Sequence, residues 1–182
     1  MPVRRPPKQR PLLTAARLEE LAIFYVGRFA TSRAKLSTYL KRKVRERGWE
    51  GDRPADLEAL VERLSRLGYV DDRAYALAKA RALTARGYGE GRVRQALHGA
   101  GIGEEDGAAA RTLAEEAALD SALRFARRRR LGPFGGDAGD PKQRERAVAA
   151  MVRAGHGFAL VRSILALKPG EEIEPDLSHD LG

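Results

Sequence analysis

Apolar side chains recur along this chain at helical spacing, and alternation with a period of two is absent. Leu18, Leu21, Ala22, Tyr25 and Phe29 fall on one face at i, i+3, i+4 steps, Leu36, Leu40 and Val44 repeat every four residues, and Leu57, Leu60, Val61, Leu64 and Leu67 form a third stripe. The stripes predict three consecutive amphipathic helices. Residues that favour helix ends mark their limits: Thr31 and Ser32 as N-cap candidates, Gly48 as a stop, Pro54 at an expected first helical position, and Gly68 after the third helix.

The pattern is then written again. Asp71-Asp72 offers an N-cap pair for a helix carrying Ala74, Tyr75, Ala78 and Leu83, which runs to the break at Gly87-Tyr88-Gly89; Val93 and Leu97 precede a second break at Gly101-Ile102. A third copy begins near Leu119, with Leu123 and Phe125 on its first helix. Ala147, Met151 and Gly155 belong to its second, and Phe158, Val161, Ile164 and Leu165 to its third. The expected fold is all-α: an elongated, curved tandem array of three three-helix repeats over 12–68, 69–118 and 119–170, each too small to bury its own stripe without its neighbours. The third helix of the second repeat, GEEDGAAARTLAEEA, has a single large apolar residue and should pack most weakly. Residues 132–141, with Gly132, Pro133, Gly135, Gly136, Gly139 and Pro141, predict a mobile link. A basic arm (1–11) and an acidic tail (171–182) flank the array, and the tail is expected to be disordered.

Composition narrows the function. Thirty-four Lys and Arg oppose 25 Asp and Glu, for a net charge of +9. Four uncompensated cations lie in the arm and five acids in the tail, so the body alone carries +10. Such a surplus concentrates polyanions and speeds their encounter, and nucleic acid is the usual partner. With no Cys there are no disulfides, thiolate nucleophiles or thiolate metal sites. No window approaches the ~20 apolar residues of a membrane span, and the basic N-terminus leads into no apolar stretch. A cytoplasmic location, no membrane partner and a monomer are expected.

Candidate chemistry is thin. His98, His156 and His179 lack metal-ligand spacing and read as solvated or helix-end residues; Asp71-Asp72 reads as a capping pair rather than a Mg²⁺ site, and Gly99–Gly103 as a helix stop rather than a phosphate loop. No metal, cofactor or enzymatic activity is expected. A nuclease remains an alternative, opposed by the scatter of its carboxylates.

Basic clusters recur at corresponding places. The first repeat contributes Arg33, Lys35, Lys41, Arg42, Lys43 and Arg45, the second Arg86, Arg92 and Arg94, and the third Arg127, Arg128, Arg130, Lys142, Arg144 and Arg146. Cations in every repeat could meet successive phosphates of an extended polyanion and release its counterions. Four consecutive arginines, Arg127 to Arg130, must point all round their helix, so a solvated helix end is the competing reading. Tyr39, Trp49 and Tyr88 lie near the charge, and packing between helices explains them better than base stacking.

The segments SRAKLSTYLKRK and LSRLGYVDDRAYALAKARALTARGYGEGRVRQALHGAGI resemble the bacterial RecX family of recombinase regulators. The similarity is strongest over residues 64–102, in the Leu-Gly-Tyr-Val-Asp-Asp start, the Arg-Gly-Tyr-Gly turn and the Gly-Ile end, and extends over about 14–168. The resemblance implies a non-enzymatic all-α protein that binds the RecA filament and restrains its growth, ATP hydrolysis and strand exchange; some members also bind DNA. Departures are the extra turn near Val44, the Gly/Ala-rich third helix of the second repeat and the glycine link before Lys142. A helical module acting directly on DNA or RNA, as a repressor, is the alternative.

Overall fold

Side-chain caps set where the helices begin. Thr14, Ser32, Asp56 and Asp140 each accept a hydrogen bond from a backbone N–H in the first turn that follows, at 2.9–3.3 Å, satisfying donors that the helix leaves without an internal partner. The computed structural model describes residues 11–135, 140–168 and 171. Among them are the α-helices α1 (Ala15–Arg28), α2 (Arg33–Arg47), α3 (Leu57–Arg66), α4 (Asp72–Ala85), α5 (Glu90–His98), α6 (Glu104–Glu116), α7 (Ala118–Arg129), α8 (Pro141–Arg153) and α9 (Phe158–Ala166), with one 3₁₀ turn at Gly132–Phe134. The all-α class follows. Pro54 does not open α3: Asp56 does the capping, and the helix starts at Leu57. Pro141, by contrast, occupies the first position of α8.

The chain divides into two compact units, residues 1–72 and 73–182. In the first, Leu18 and Ala22 of α1, Leu36 and Leu40 of α2, and Leu60, Val61 and Leu64 of α3 form one buried cluster that Leu13 and Val70 complete. This trio therefore closes a core of its own. Phe29 and Leu67, expected on the buried stripes, are exposed, because each stands at the residue that caps its helix, where the chain turns away. A parallel bridge not legible in the apolar pattern joins Leu13 to Trp49. The Leu13 N–H donates to the Gly48 carbonyl and the Glu50 N–H to the Leu13 carbonyl, both at 3.1 Å.

The second unit holds two clusters. Ala76, Ala80, Leu83, Val93, Leu97, Ala110 and Ala114 form one, on α4, α5 and α6; Ala122, Phe125, Ala126, Ala147, Met151, Ala154, Val161, Ile164 and Leu165 form the other, on and beside α7, α8 and α9. Half-buried Tyr88 packs against both. The expected face of α4 is out of register: Ala74 and Ala78 are exposed while Ala76 and Ala80 are fully buried. Helix α6 buries a seam of small residues, Gly107, Ala110 and Ala114. Phe158, expected in the core of the last trio, is exposed at the first position of α9. The start of the predicted link is packed, with Gly132–Phe134 folded into the 3₁₀ turn and Leu131 and Phe134 half-buried against the third cluster; residues 136–139, the arm at 1–10 and the tail from 172 lie outside the described residues.

Glycine is required where the α4–α5 turn meets the α8–α9 turn. The Gly89 N–H donates to the Ala154 carbonyl and the Gly91 N–H to the Gly155 carbonyl, both at 3.0 Å. A Cβ on Gly89 would overlap the Gly155 carbonyl, and one on Gly155, at φ +93°, would overlap the Arg92 backbone. Only hydrogen side chains let the two turns approach this closely.

Candidate functional site

The cations of α2 are not equally available. Arg33 is tied down, its backbone N–H and Nε donating to the buried carboxylate of Asp72 at 2.8 and 3.1 Å. This contact anchors the start of α2 across 39 residues of sequence. Arg42 and Lys43 share Glu46, at 3.6 and 2.7 Å, and both lie over the ring of Tyr39. The hydrogen bond from Lys43, with the positive charges of Lys43, Arg42 and Arg45, holds the Glu46 carboxyl below its usual range. Lys35, Lys41 and Arg45 are exposed; Lys41 and Arg45, one turn apart, form no salt bridge among the described residues. Lys41 borders a groove that also carries Asp56, Glu58 and Glu62, so this surface mixes both signs.

In the second unit several expected residues come together. Arg86 and Arg92 both lie over the ring of Tyr88, at 5.7 and 6.0 Å from its centroid. Arg128 reaches across 42 residues to donate to the Arg86 carbonyl, just past the end of α4, and its guanidinium lies over Phe125. Arg127 lies 5.0 Å from the centroid of Phe134. Along α7, Leu123, Arg124, Arg127 and Arg128 line one open hollow with Asp120 as its sole carboxylate. Arg124 repeats at i, i+3 and i+4 with Arg127 and Arg128 and belongs to the same cluster. Arg130 caps the helix in the left-handed conformation, at φ 54°, away from the regular turn. Cation–π contacts hold these exposed guanidinium groups, and Arg92 and Arg128 each also donate one N–H within the fold, to the Gln95 side chain and the Arg86 carbonyl.

Other expected residues stay apart from that cluster. Arg94 is paired with Glu90, which raises its pKa further and lowers its value as a phosphate contact. Lys142, Arg144 and Arg146 are exposed on the first two turns of α8, with no salt bridge among the described residues. The aromatics are packing residues: Tyr39 stacks on Tyr25 at 4.0 Å, and Trp49 donates to the Arg53 carbonyl at 2.7 Å.

His156 stands at a helix end, between α8 and α9, as one of its two expected readings has it. It is buried rather than solvated, its Nε2 lies 3.1 Å from the Gly87 carbonyl, and its Nδ1 has no partner. Burial lowers its pKa, against the smaller opposing effect of the Gly87 carbonyl. His98 is exposed in the last turn of α5, and His179 lies outside the described residues. Among the described residues no three His, Cys, Asp or Glu could hold a metal ion, and no helix is long and apolar enough to cross a membrane.

These features define a helical protein whose surface carries guanidinium groups packed over aromatic rings. No protein-family model matches the chain. It is 34% identical to the regulatory protein RecX of Myxococcus xanthus over 91% of this chain and 92% of that protein, and 30% identical to the regulatory protein RecX of Agrobacterium fabrum over 86% and 85%. The chain belongs to the RecX family of regulatory proteins. Its fold is that of crystal structures of RecX: the Lactobacillus salivarius protein superposes with a TM-score of 0.59 at 15% identity, covering 82% of this chain and 93% of that one, and a second RecX with 0.58 at 22%, covering 82% and 72%.

Proposed function

We propose that this protein negatively regulates homologous recombination by binding the RecA nucleoprotein filament and restraining its ATPase, growth and strand exchange. Membership of a regulatory family supports the reading. The observation that carries it is the set of cations without carboxylate partners among the described residues: Lys41 and Arg45 on α2, Arg127 on α7, and Lys142, Arg144 and Arg146 on α8. These groups can neutralise phosphate, or an acidic protein surface, without first breaking an internal ion pair. Such a regulator needs no active site. It needs only a difference in affinity between filament states, because a ligand that binds both equally shifts nothing.

The direct test is the DNA-dependent ATPase of the cognate recombinase with and without this protein, beside its affinity for bare DNA. Suppression at concentrations well below those that coat the DNA is expected. Replacing Lys41, Arg42 and Lys43 together with Glu should weaken suppression by about tenfold or more while leaving helicity intact. Unchanged suppression at moderate salt would overturn the role assigned to α2. The pairing of Arg86 and Arg92 over Tyr88 favours a second reading, direct action on nucleic acid; suppression that appears only once the DNA is coated would select it.

A further inference from the structure

Helices α8 and α9 leave a groove of about 720 Å³ between them, lined by Val148, Val152, Phe158 and Leu165 together with Arg144, Arg162 and Glu145. Phe158 is 60% exposed and Val152 44%. Isolated apolar residues on a surface are ordinary, but several gathered in one concavity mark a place where another segment lies.

The chain itself supplies that segment. Leu165 stands one residue before the end of α9, so the polypeptide leaves the helix beside the groove. Just past it, the Lys168 N–H donates to Glu171 Oε2 at 2.8 Å, and the Glu171 N–H donates to the Lys168 carbonyl at 3.1 Å. Beyond Glu171, residues 172–182 read EIEPDLSHDLG and hold no Lys or Arg. Ile173, Leu177 and Leu181 recur every four residues among Glu172, Glu174, Asp176 and Asp180. The groove carries two cations to one acid, so its charge complements this sequence. Reach is sufficient, since 11 residues span up to about 36 Å extended, whereas the 13 residues of α8 rise about 20 Å.

We propose that residues 172–182 occupy the α8–α9 groove, their Ile and Leu side chains covering Val152 and Phe158 and their carboxylates facing Arg144 and Arg162. The tail is then an internal competitor for the surface around Arg144. Any acidic partner that docks there must displace it.

The absence of native Cys makes the test clean. Full-length protein carrying Ser178→Cys with Ala149→Cys, whose native alanine lines the groove, is compared under mild oxidation with Ser178→Cys and Ala108→Cys, on an exposed position of α6. An intramolecular disulfide that forms about tenfold faster with position 149, through its raised effective concentration, is expected. Adding Arg144→Glu and Arg162→Glu should bring that rate down toward the control. Equal rates at both positions, or cross-links only between chains, would overturn the proposal. Circular dichroism checks that each variant folds. As a second readout, a fluorophore on Ser178→Cys alone should lose anisotropy in the Arg144→Glu, Arg162→Glu background; unchanged anisotropy would count against docking. No recombinase is present in these assays, so their outcome is independent of the filament reading.

Discussion

A single imidazole carries a pH dependence that its position in the sequence conceals. His156 is buried against Phe125 and the Gly87 carbonyl, and a proton on Nδ1 would find no protein acceptor there. Its pKa in the fold lies below the 6.5 of a free imidazole. Protons therefore bind more tightly to the unfolded chain: the stability that neutral His156 contributes is complete above about pH 6.5 and declines as pH falls through that value toward the folded pKa. Melting temperatures at about pH 8 and about pH 5.5 should differ more for the native protein than for His156→Gln, whose amide keeps a donor for Gly87 and does not titrate. Equal differences would remove His156 as the source. At the neighbouring Gly155, substitution by Ala should cost about 2–4 kcal/mol in denaturant unfolding, because a left-handed backbone and overlap with Arg92 act together. Gly68→Ala is the comparison. Gly68 shares the positive φ but has open space around its missing Cβ, so about 1–2 kcal/mol is expected.

At the level of elements, Asp72 links the first residue of α4 to the first residue of α2. Its carboxylate is nearly inaccessible and receives both the Arg33 backbone N–H and its guanidinium. Asp72→Ala should cost about 1–2 kcal/mol, seen as a lower denaturation midpoint, since it removes the acceptor for two donors of half-buried Arg33. Asp72→Asn, which retains an acceptor, should cost less. Such a residue also shows where sequence patterns stop being informative. Capping chemistry is local, so Ser32, Gly48 and Gly68 announce their helix ends directly, and stripes of Leu and Val announce α2, α3 and α5. The face of α4 is ambiguous because alanines at 74, 76, 78 and 80 populate both sides, and only packing selects Ala76 and Ala80. Asp72 reads as a capping pair with Asp71 because its partner stands 39 residues earlier, and the burial of His156, read as a solvated or helix-end residue, is not legible because the carbonyl that meets it lies 69 residues away. For the candidate site, the cationic clusters are legible as composition; which members are already engaged, as Arg33 and Arg94 are, depends on carboxylates that the fold delivers.

For the whole molecule, a net charge of +9 makes salt the most revealing variable. Affinity for a polyanion should fall linearly with the logarithm of salt concentration, each phosphate neutralised adding about 0.9 to the slope on duplex DNA or about 0.7 on a single strand. Replacing Arg124 and Arg127 with Ala should shallow that slope by roughly one to two units, without the structural loss expected at Arg128, whose guanidinium also serves the fold. A slope that does not change would exclude the α7 face from the contact.

The bond from Arg128 to the Arg86 carbonyl has a further consequence. Were the Arg128 N–H that holds the Arg86 carbonyl taken by a phosphate instead, that carbonyl would lose its donor, and occupancy at α7 and fraying just past α4 would be linked equilibria. An anion bound in that way would be felt beyond the arginine it touches, as a loosening of the segment where Gly87, Tyr88 and the imidazole of His156 meet.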